Sequence, residues 1–84
     1  MKNKKNLIKQ IIYRSSHRGS KEMDLLLGNF VKKYINVFDD KDLSDLYELL
    51  SIEDEIIYKW YFKKENNLII TNNKITKMLK EYKF

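Results

Sequence analysis

The sequence predicts an all-α protein, a compact five-helix bundle that forms a single domain over residues 1–84. Apolar residues recur at spacings of three and four rather than in alternation, which is typical of helices with one buried face. The 84 residues include no proline and only two glycines, so little interrupts these helices. Each predicted helix is near or below the ~12–15 residues needed for marginal stability in water, so packing must hold the bundle together. Residues 1–5 are expected to be disordered.

The first two predicted helices flank a short polar turn. The first carries Leu7, Ile8, Ile11 and Ile12 and is expected to end between Ser15 and Gly19. Ser20 is the predicted N-cap of the second helix, with acidic side chains in its first turn, where the helix dipole favours them. The apolar face of this second helix comprises Met23, Leu26, Leu27, Phe30, Val31 and Tyr34. Gly28 lies within this helix, where glycine lowers helix stability by ~1 kcal/mol relative to alanine. We therefore expect glycine to be there because another helix crosses closely at this position.

Three further helices are predicted from cap residues and apolar faces. Asp39 or Asp40 caps a helix that buries Leu43, Leu46, Tyr47 and Leu50. Ser51 is predicted to cap the next helix, with Asp54 completing a capping box. That helix presents Ile56, Ile57, Trp60 and Tyr61. Residues 68–70 form either a tight apolar connection or a brief extended segment. Asn72 or Asn73 then caps a last helix bearing Ile75, Met78, Leu79 and Tyr82.

Charge is distributed unevenly along the chain, whose net charge is +5. Residues 1–21 carry seven basic and no acidic side chains, residues 22–55 carry ten acidic and three basic, and residues 56–84 carry seven basic and two acidic. Such a polarised chain is suited to steering a charged protein partner. The acidic middle third argues against the continuous basic face that a nucleic-acid-binding protein needs.

The residues that chemistry usually requires are scarce. The chain has no cysteine and one histidine, and its two glycines are isolated, so no metal site, catalytic constellation or phosphate-binding loop is predicted. The acidic cluster of residues 39–45 is better explained by helix capping than by a cation site. We therefore expect no enzymatic activity and no cofactor of its own. No apolar run approaches the ~18 residues of a membrane span, and a cytoplasmic protein that is monomeric when free is expected.

The segment 17–22, His-Arg-Gly-Ser-Lys-Glu, departs most from ordinary helical sequence. The chain has 17 lysines and arginines, of which only Arg14 and Arg18 are arginine. Lying four residues apart, they share a helix face on which both guanidinium groups could grip a carboxylate or phosphate. Gly19 is expected to end the first helix in a left-handed conformation. From the residues alone, this corner is either a helix-to-helix cap or a surface that binds a partner.

Arg18-Gly19-x-x-Glu22, followed by Asp24-Leu25, resembles the RGxxE signature of the succinate dehydrogenase flavinylation factors. These comprise the bacterial SdhE type and their mitochondrial assembly-factor relatives. The similarity extends over roughly residues 5–80, through the acidic stretch at 39–45, Leu49-Leu50, the acidic turn at 53–55 and the helix with Trp60. His17, Gly28 and Ile56 depart from the pattern of the family.

The resemblance implies a helical factor that binds the flavoprotein subunit of succinate dehydrogenase, or in some bacteria that of fumarate reductase. It implies that this factor promotes covalent attachment of FAD to a histidine of the partner, so FAD belongs to the partner. The implied partner-binding residues are Arg18, Gly19, Glu22, Arg14, His17 and Asp24. In this view Arg18, helped by Arg14, stabilises negative charge near the flavin, while Glu22 pairs with a basic residue of the partner.

Two alternatives remain open at this point. A small basic bundle that binds nucleic acid would stack bases on Tyr58, Trp60 and Tyr61, although helical spacing favours core positions for these rings. A generic helical adaptor would instead place its important residues on apolar helix faces.

Overall fold

The computed structural model describes residues 4–65 and 69–83, and these contain five α-helices and no strand. The helices are α1 (Lys4–Ser16), α2 (Lys21–Tyr34), α3 (Asp40–Leu50), α4 (Asp54–Phe62) and α5 (Lys74–Glu81), with a 3₁₀ turn at Ile35–Val37. The radius of gyration is 12.0 Å, close to the ~12 Å expected for a packed domain of this length. The predicted all-α five-helix bundle is confirmed.

One hydrophobic core joins all five helices. α1 packs against α2 and α3, and α3 also contacts α5. The predicted apolar faces supply the side chains that are most deeply buried: Ile11, Met23, Leu26, Leu27, Phe30, Val31, Leu43, Leu46, Leu50, Ile57, Ile75 and Leu79. Ile12 is the exception among the predicted core residues of α1, because 47% of its surface is exposed.

Three of the predicted helix caps are present. The Ser20 hydroxyl accepts the N–H of Met23 at the start of α2. Asp39 and Asp42 form a reciprocal capping box on α3, as Asn73 and Thr76 do on α5. The hydrogen bond from the Asp42 backbone N–H lowers the pKa of the Asp39 carboxyl, because it favours the ionised form.

The predicted cap of α4 is wrong. Ser51 ends α3 instead, and its hydroxyl donates to the carbonyl of Tyr47 at 3.0 Å. Glu53 is the N-cap of α4, and its side chain makes no capping hydrogen bond. Asp54 is the first residue of α4, and its carboxylate turns away from the helix start toward the α1–α2 connection. A long-range ion pair has displaced the local capping box.

Two further expectations concern chain segments. α1 begins at Lys4, so the disorder expected for residues 1–5 is not seen at residues 4 and 5, whereas residues 1–3 lie outside the described range. The apolar run 68–70 lies partly outside it as well. Its described members, Ile69 and Ile70, belong to no strand, and Ile70 packs against the core.

Folding brings the basic ends of the chain onto its acidic middle. Lys4 of α1 lies 3.7 Å from a carboxylate oxygen of Asp40, and Lys74 of α5 lies 3.1 Å from one of Asp42. Both acids stand in the first turn of α3. The polarity read along the sequence is therefore partly neutralised in three dimensions.

Candidate functional site

The connection between α1 and α2, residues 17–22, forms a tight corner whose arginine points into the molecule. The Arg18 side chain is only 8% exposed. Its Nε and Nη2 lie 2.7 and 2.6 Å from Oδ1 of Asp54. Nη1 donates to the carbonyls of Leu50 (2.8 Å) and Arg14 (3.1 Å), and Nη2 donates to that of Ile52 (3.1 Å). All three guanidinium nitrogens thus bind within the chain.

This geometry explains why position 18 carries one of the two arginines. A planar fork reaches a carboxylate and three carbonyls at once, whereas the single ammonium of lysine cannot. The carbonyls of Leu50 and Ile52 lie at the C-terminal end of α3, where the helix dipole favours a cation. Arg18 therefore ties the corner to the junction between α3 and α4.

The backbone of the corner is held by two carboxylates. The N–H of Arg18 donates to Oδ1 of Asp24 at 2.6 Å, and the N–H of Gly19 donates to Oδ2 of Asp54 at 2.5 Å. Asp24 stands in the first turn of α2, whereas Asp54 comes from α4. Sequence reasoning missed Asp54 here because the pattern around it predicted only a helix cap, and nothing local signals a partner 36 residues away.

Gly19 does not adopt the expected left-handed conformation, since no described glycine has a positive φ. The reason for glycine is space: a Cβ at this position would lie 3.0 Å from Oδ2 of Asp54. That oxygen is already bound to the Gly19 N–H, so it has little freedom to retreat. Any side chain at position 19 therefore presses on the carboxylate that fixes the corner.

The remaining predicted residues face outward. Glu22 is exposed and makes no hydrogen bond or ion pair with any residue in the described ranges 4–65 and 69–83. His17 is exposed, and its ring stacks on Tyr13 with 3.9 Å between centroids. The guanidinium of Arg14 lies 5.1 Å from the ring centroid of Tyr47.

The predicted residues thus divide into two groups. The side chains of Arg18 and Asp24 bind within the chain, while those of Glu22, His17 and Arg14 are exposed. Gly19 is exposed as well, although its backbone N–H is bound to Asp54. The two arginines do not form the expected joint grip, because Arg18 pairs with Asp54 and Arg14 lies over Tyr47. Beside the corner, the outer side of α1 borders a shallow hollow of about 590 Å³, lined by Lys9, Gln10, Tyr13, Arg14, His17 and Arg18.

Comparison with known proteins identifies the family. The model of the family Sdh5, described as flavinator of succinate dehydrogenase, matches residues 9–83. The chain belongs to the Sdh5 family. The resemblance to the succinate dehydrogenase flavinylation factors is thereby confirmed, and residues 17–22 lie within the matched part of the chain.

Curated relatives agree with this assignment. The chain is 36% identical over 63 residues to a protein of Arabidopsis thaliana (75% of this chain, 34% of the relative) and 40% identical over 76 residues to one of Scheffersomyces stipitis (86% and 51%). A protein of Dictyostelium discoideum is 40% identical over 58 residues (69% and 41%). All three are named succinate dehydrogenase assembly factor 2, mitochondrial. The chain spans between about a third and a half of the length of these relatives. No solved structure matches it.

Metal binding, membrane insertion and base stacking are the other roles to weigh for this Sdh5 family member. Among residues 4–65 and 69–83, no group of three or more His, Cys, Asp or Glu side chains is placed to hold a metal ion. No helix in the same ranges has the length and apolar character to cross a membrane. Trp60 and Tyr61 are buried, with 7% and 8% of their surfaces exposed, which weighs against a base-stacking platform.

Proposed function

We propose that this chain is an assembly factor that binds the flavoprotein subunit of succinate dehydrogenase and promotes covalent attachment of FAD to that subunit. Membership of the Sdh5 family supports the partner and the reaction. The observation that supports the site is the exposed carboxylate of Glu22, which has no partner among the described residues. It lies at the end of the corner, whose backbone is held by internal hydrogen bonds. A free charge on a fixed backbone is suited to docking, because little conformational freedom is lost on binding.

The exposed residues of the corner have distinct roles in this proposal. Gly19, which lacks a side chain, lets the flavoprotein subunit (the client) approach the backbone closely. Glu22 pairs with a basic group of the client, and Arg14 and His17 meet acidic or polar groups beside the hollow on α1. Arg18 is given no role at the flavin in this proposal, because its nitrogens are bound to Asp54 and to backbone carbonyls. Its role is to hold the corner in shape.

The factor acts through binding rather than through chemistry of its own. It favours one conformation of the flavoprotein by differential affinity, and FAD and the histidine it modifies remain with the client. In this proposal the chain is not an enzyme, carries no cofactor, binds no nucleic acid and is monomeric when free. We place it in the cytoplasm, whereas the names of its curated relatives place those proteins in mitochondria.

The decisive experiment co-expresses the chain with the succinate dehydrogenase flavoprotein of the same organism. Fluorescence of the flavin that stays with the denatured flavoprotein in a gel measures covalent FAD. We expect the wild-type chain to raise this signal. Glu22→Gln should weaken binding by about tenfold, since a charge-assisted bond is lost, and should lower the signal accordingly.

The matched control is Glu81→Gln, which neutralises an exposed acid near the end of α5. With this variant, the fluorescence of covalently bound flavin should rise to the same level as with the wild-type chain. No increase with the wild-type chain would overturn the proposed function. Full activity of Glu22→Gln would instead remove Glu22 from the docking surface.

A further inference from the structure

The carboxylate of Asp54 divides its two oxygens between two residues of the corner. Oδ1 accepts from the Arg18 guanidinium, with Nε and Nη2 at 2.7 and 2.6 Å, while Oδ2 accepts from the backbone N–H of Gly19 at 2.5 Å. The Asp54 side chain is 28% exposed, so water screens these bonds only in part. One side chain of α4 thus fixes both the arginine and the glycine of the signature.

The Asp54 side chain is not used to cap its own helix. The N-cap of α4 is Glu53, which makes no side-chain capping bond, so the start of α4 lacks the support that Ser20, Asp39 and Asn73 give to α2, α3 and α5. An aspartate at a helix start ordinarily stabilises that start. Here its hydrogen bonds go instead to residues 35 and 36 positions earlier in the chain.

We infer that Asp54, which lies outside the RGxxE signature, is a positioning residue for the docking corner. The inference rests on the proposed function. Two carboxylates accept backbone N–H groups of the corner, Asp24 from Arg18 and Asp54 from Gly19, and of these two only Asp54 belongs to a helix other than α2. Without Asp54, the corner loses both this bond and the ion pair of Arg18, so the exposed edge of Gly19 and the Glu22 carboxylate are held less firmly in place.

Two substitutions disturb these bonds in different ways. Asp54→Asn keeps the shape of the side chain but replaces one oxygen by an NH₂ group, which donates hydrogen bonds and does not accept them. The single remaining oxygen cannot take the place of both Oδ1, which binds Arg18, and Oδ2, which binds Gly19. Asp54→Glu keeps the negative charge for Arg18 but places the carboxylate one methylene farther out, so the bond to Gly19 is displaced. Each variant should bind the purified flavoprotein about tenfold more weakly, because the hydrogen bonds that position the corner are weakened in Asp54→Asn and displaced in Asp54→Glu.

The Gly19 amide proton supplies a readout that is independent of the client. A hydrogen bond to a carboxylate shifts an amide proton downfield, so this resonance should move upfield in both Asp54 variants. The control is Glu53→Gln, which changes the exposed neighbour of Asp54 and should leave both the resonance and the affinity unchanged. Thermal unfolding curves of the variants identify a temperature at which all of them are folded. Binding to the flavoprotein is then titrated at that temperature.

The outcomes separate this inference from the proposed function. A folded Asp54→Asn or Asp54→Glu chain that binds with wild-type affinity, or whose Gly19 resonance does not move, would overturn the positioning role alone. If both variants failed to fold, Asp54 would be a stability residue and the inference would be wrong. A wild-type chain that bound no flavoprotein would overturn the proposed function and the positioning role together.

Discussion

At the scale of single residues, the two arginines of this chain serve different purposes. Arg18 is 8% exposed and joins a carboxylate to three backbone carbonyls. Arg14 is exposed and lies over the ring of Tyr47. A cation–π contact tolerates lysine, whereas a fork with several acceptors does not. Position 18 is therefore the one that requires arginine for the fold.

Replacing each arginine by lysine tests this distinction. Arg18→Lys should lower the free energy of unfolding by about 2 kcal/mol, because carbonyls at the end of α3 and part of the Asp54 carboxylate lose their donors. Arg14→Lys, the matched control, should change it by less than about 0.5 kcal/mol. Urea denaturation of both variants measures the difference. Equal effects would show that the internal bonds of Arg18 add nothing to stability.

At the scale of helices, Gly28 is the notable exception within α2. α1 packs beside this position, and the carbonyl oxygen of Ser15 is the neighbour that a side chain at position 28 would meet, but the crossing is not close enough to require glycine. A Cβ there would lie 3.7 Å from that oxygen, which is an ordinary contact distance. The packing of α1 on α2 therefore leaves room for alanine, although glycine weakens the middle of the helix.

Gly28→Ala is expected to stabilise the protein by about 0.5–1 kcal/mol, because alanine restricts the unfolded chain and favours the helix. Gly28→Val is the informative comparison. Its branched methyl groups would crowd the Ser15 carbonyl, so it should destabilise the protein. Thermal unfolding of the two variants beside the wild type measures both effects. A loss of stability in Gly28→Ala would mean that the crossing needs glycine after all.

At the scale of the whole molecule, the last turn of the chain is fastened to α4. The Tyr61 hydroxyl donates to the backbone carbonyl of Tyr82, just beyond α5. Burial raises the pKa of the Tyr61 phenol, with a smaller contribution from Tyr82. The folded state therefore holds this proton more tightly than the unfolded chain, in which the pKa is ~10. The resulting stability is present below about pH 10 and is lost as the pH rises through the folded-state pKa.

Tyr61→Phe removes both the hydrogen bond and the titration. At about pH 8 the variant should be less stable than the wild type by about 1 kcal/mol, and this difference should shrink as the pH is raised above about 10. Denaturation of both proteins over this range measures the difference, since the other five tyrosines are common to both. A gap that does not change with pH would contradict the raised pKa.

Much of this fold follows from short-range rules. The helical faces are set by the spacing of apolar residues, which is why Met23, Phe30 and Leu46 were predicted to be buried and are. The caps at Ser20, Asp39 and Asn73 depend on residues within three positions of each other, so the sequence is enough to find them.

The candidate site shows where short-range rules fail. Asp54 satisfies the pattern of a capping box with Ser51, yet the largely buried Arg18 side chain of the α1–α2 corner attracts its carboxylate more strongly than a backbone N–H does. Gly19 satisfies the pattern of a helix C-cap, yet the nearby Asp54 oxygen is what excludes a side chain. Both errors have the same cause, a contact between distant parts of the sequence that local spacing cannot reveal.

The span of these contacts also bears on the order of events during folding. The bonds that join the corner to α4 and to the end of α3 link Arg18 and Gly19 to residues 32 to 36 positions later in the chain. Contacts of such long range form only after the intervening loop has closed, whereas α1 and α2 form from local interactions. On the ribosome, a chain elongated through α2 carries the whole RGxxE sequence but not yet Asp54. The RGxxE segment therefore takes its folded shape only when α3 and the start of α4 have been made and packed. Under the proposed function, an unfinished chain does not yet present the surface that binds the flavoprotein.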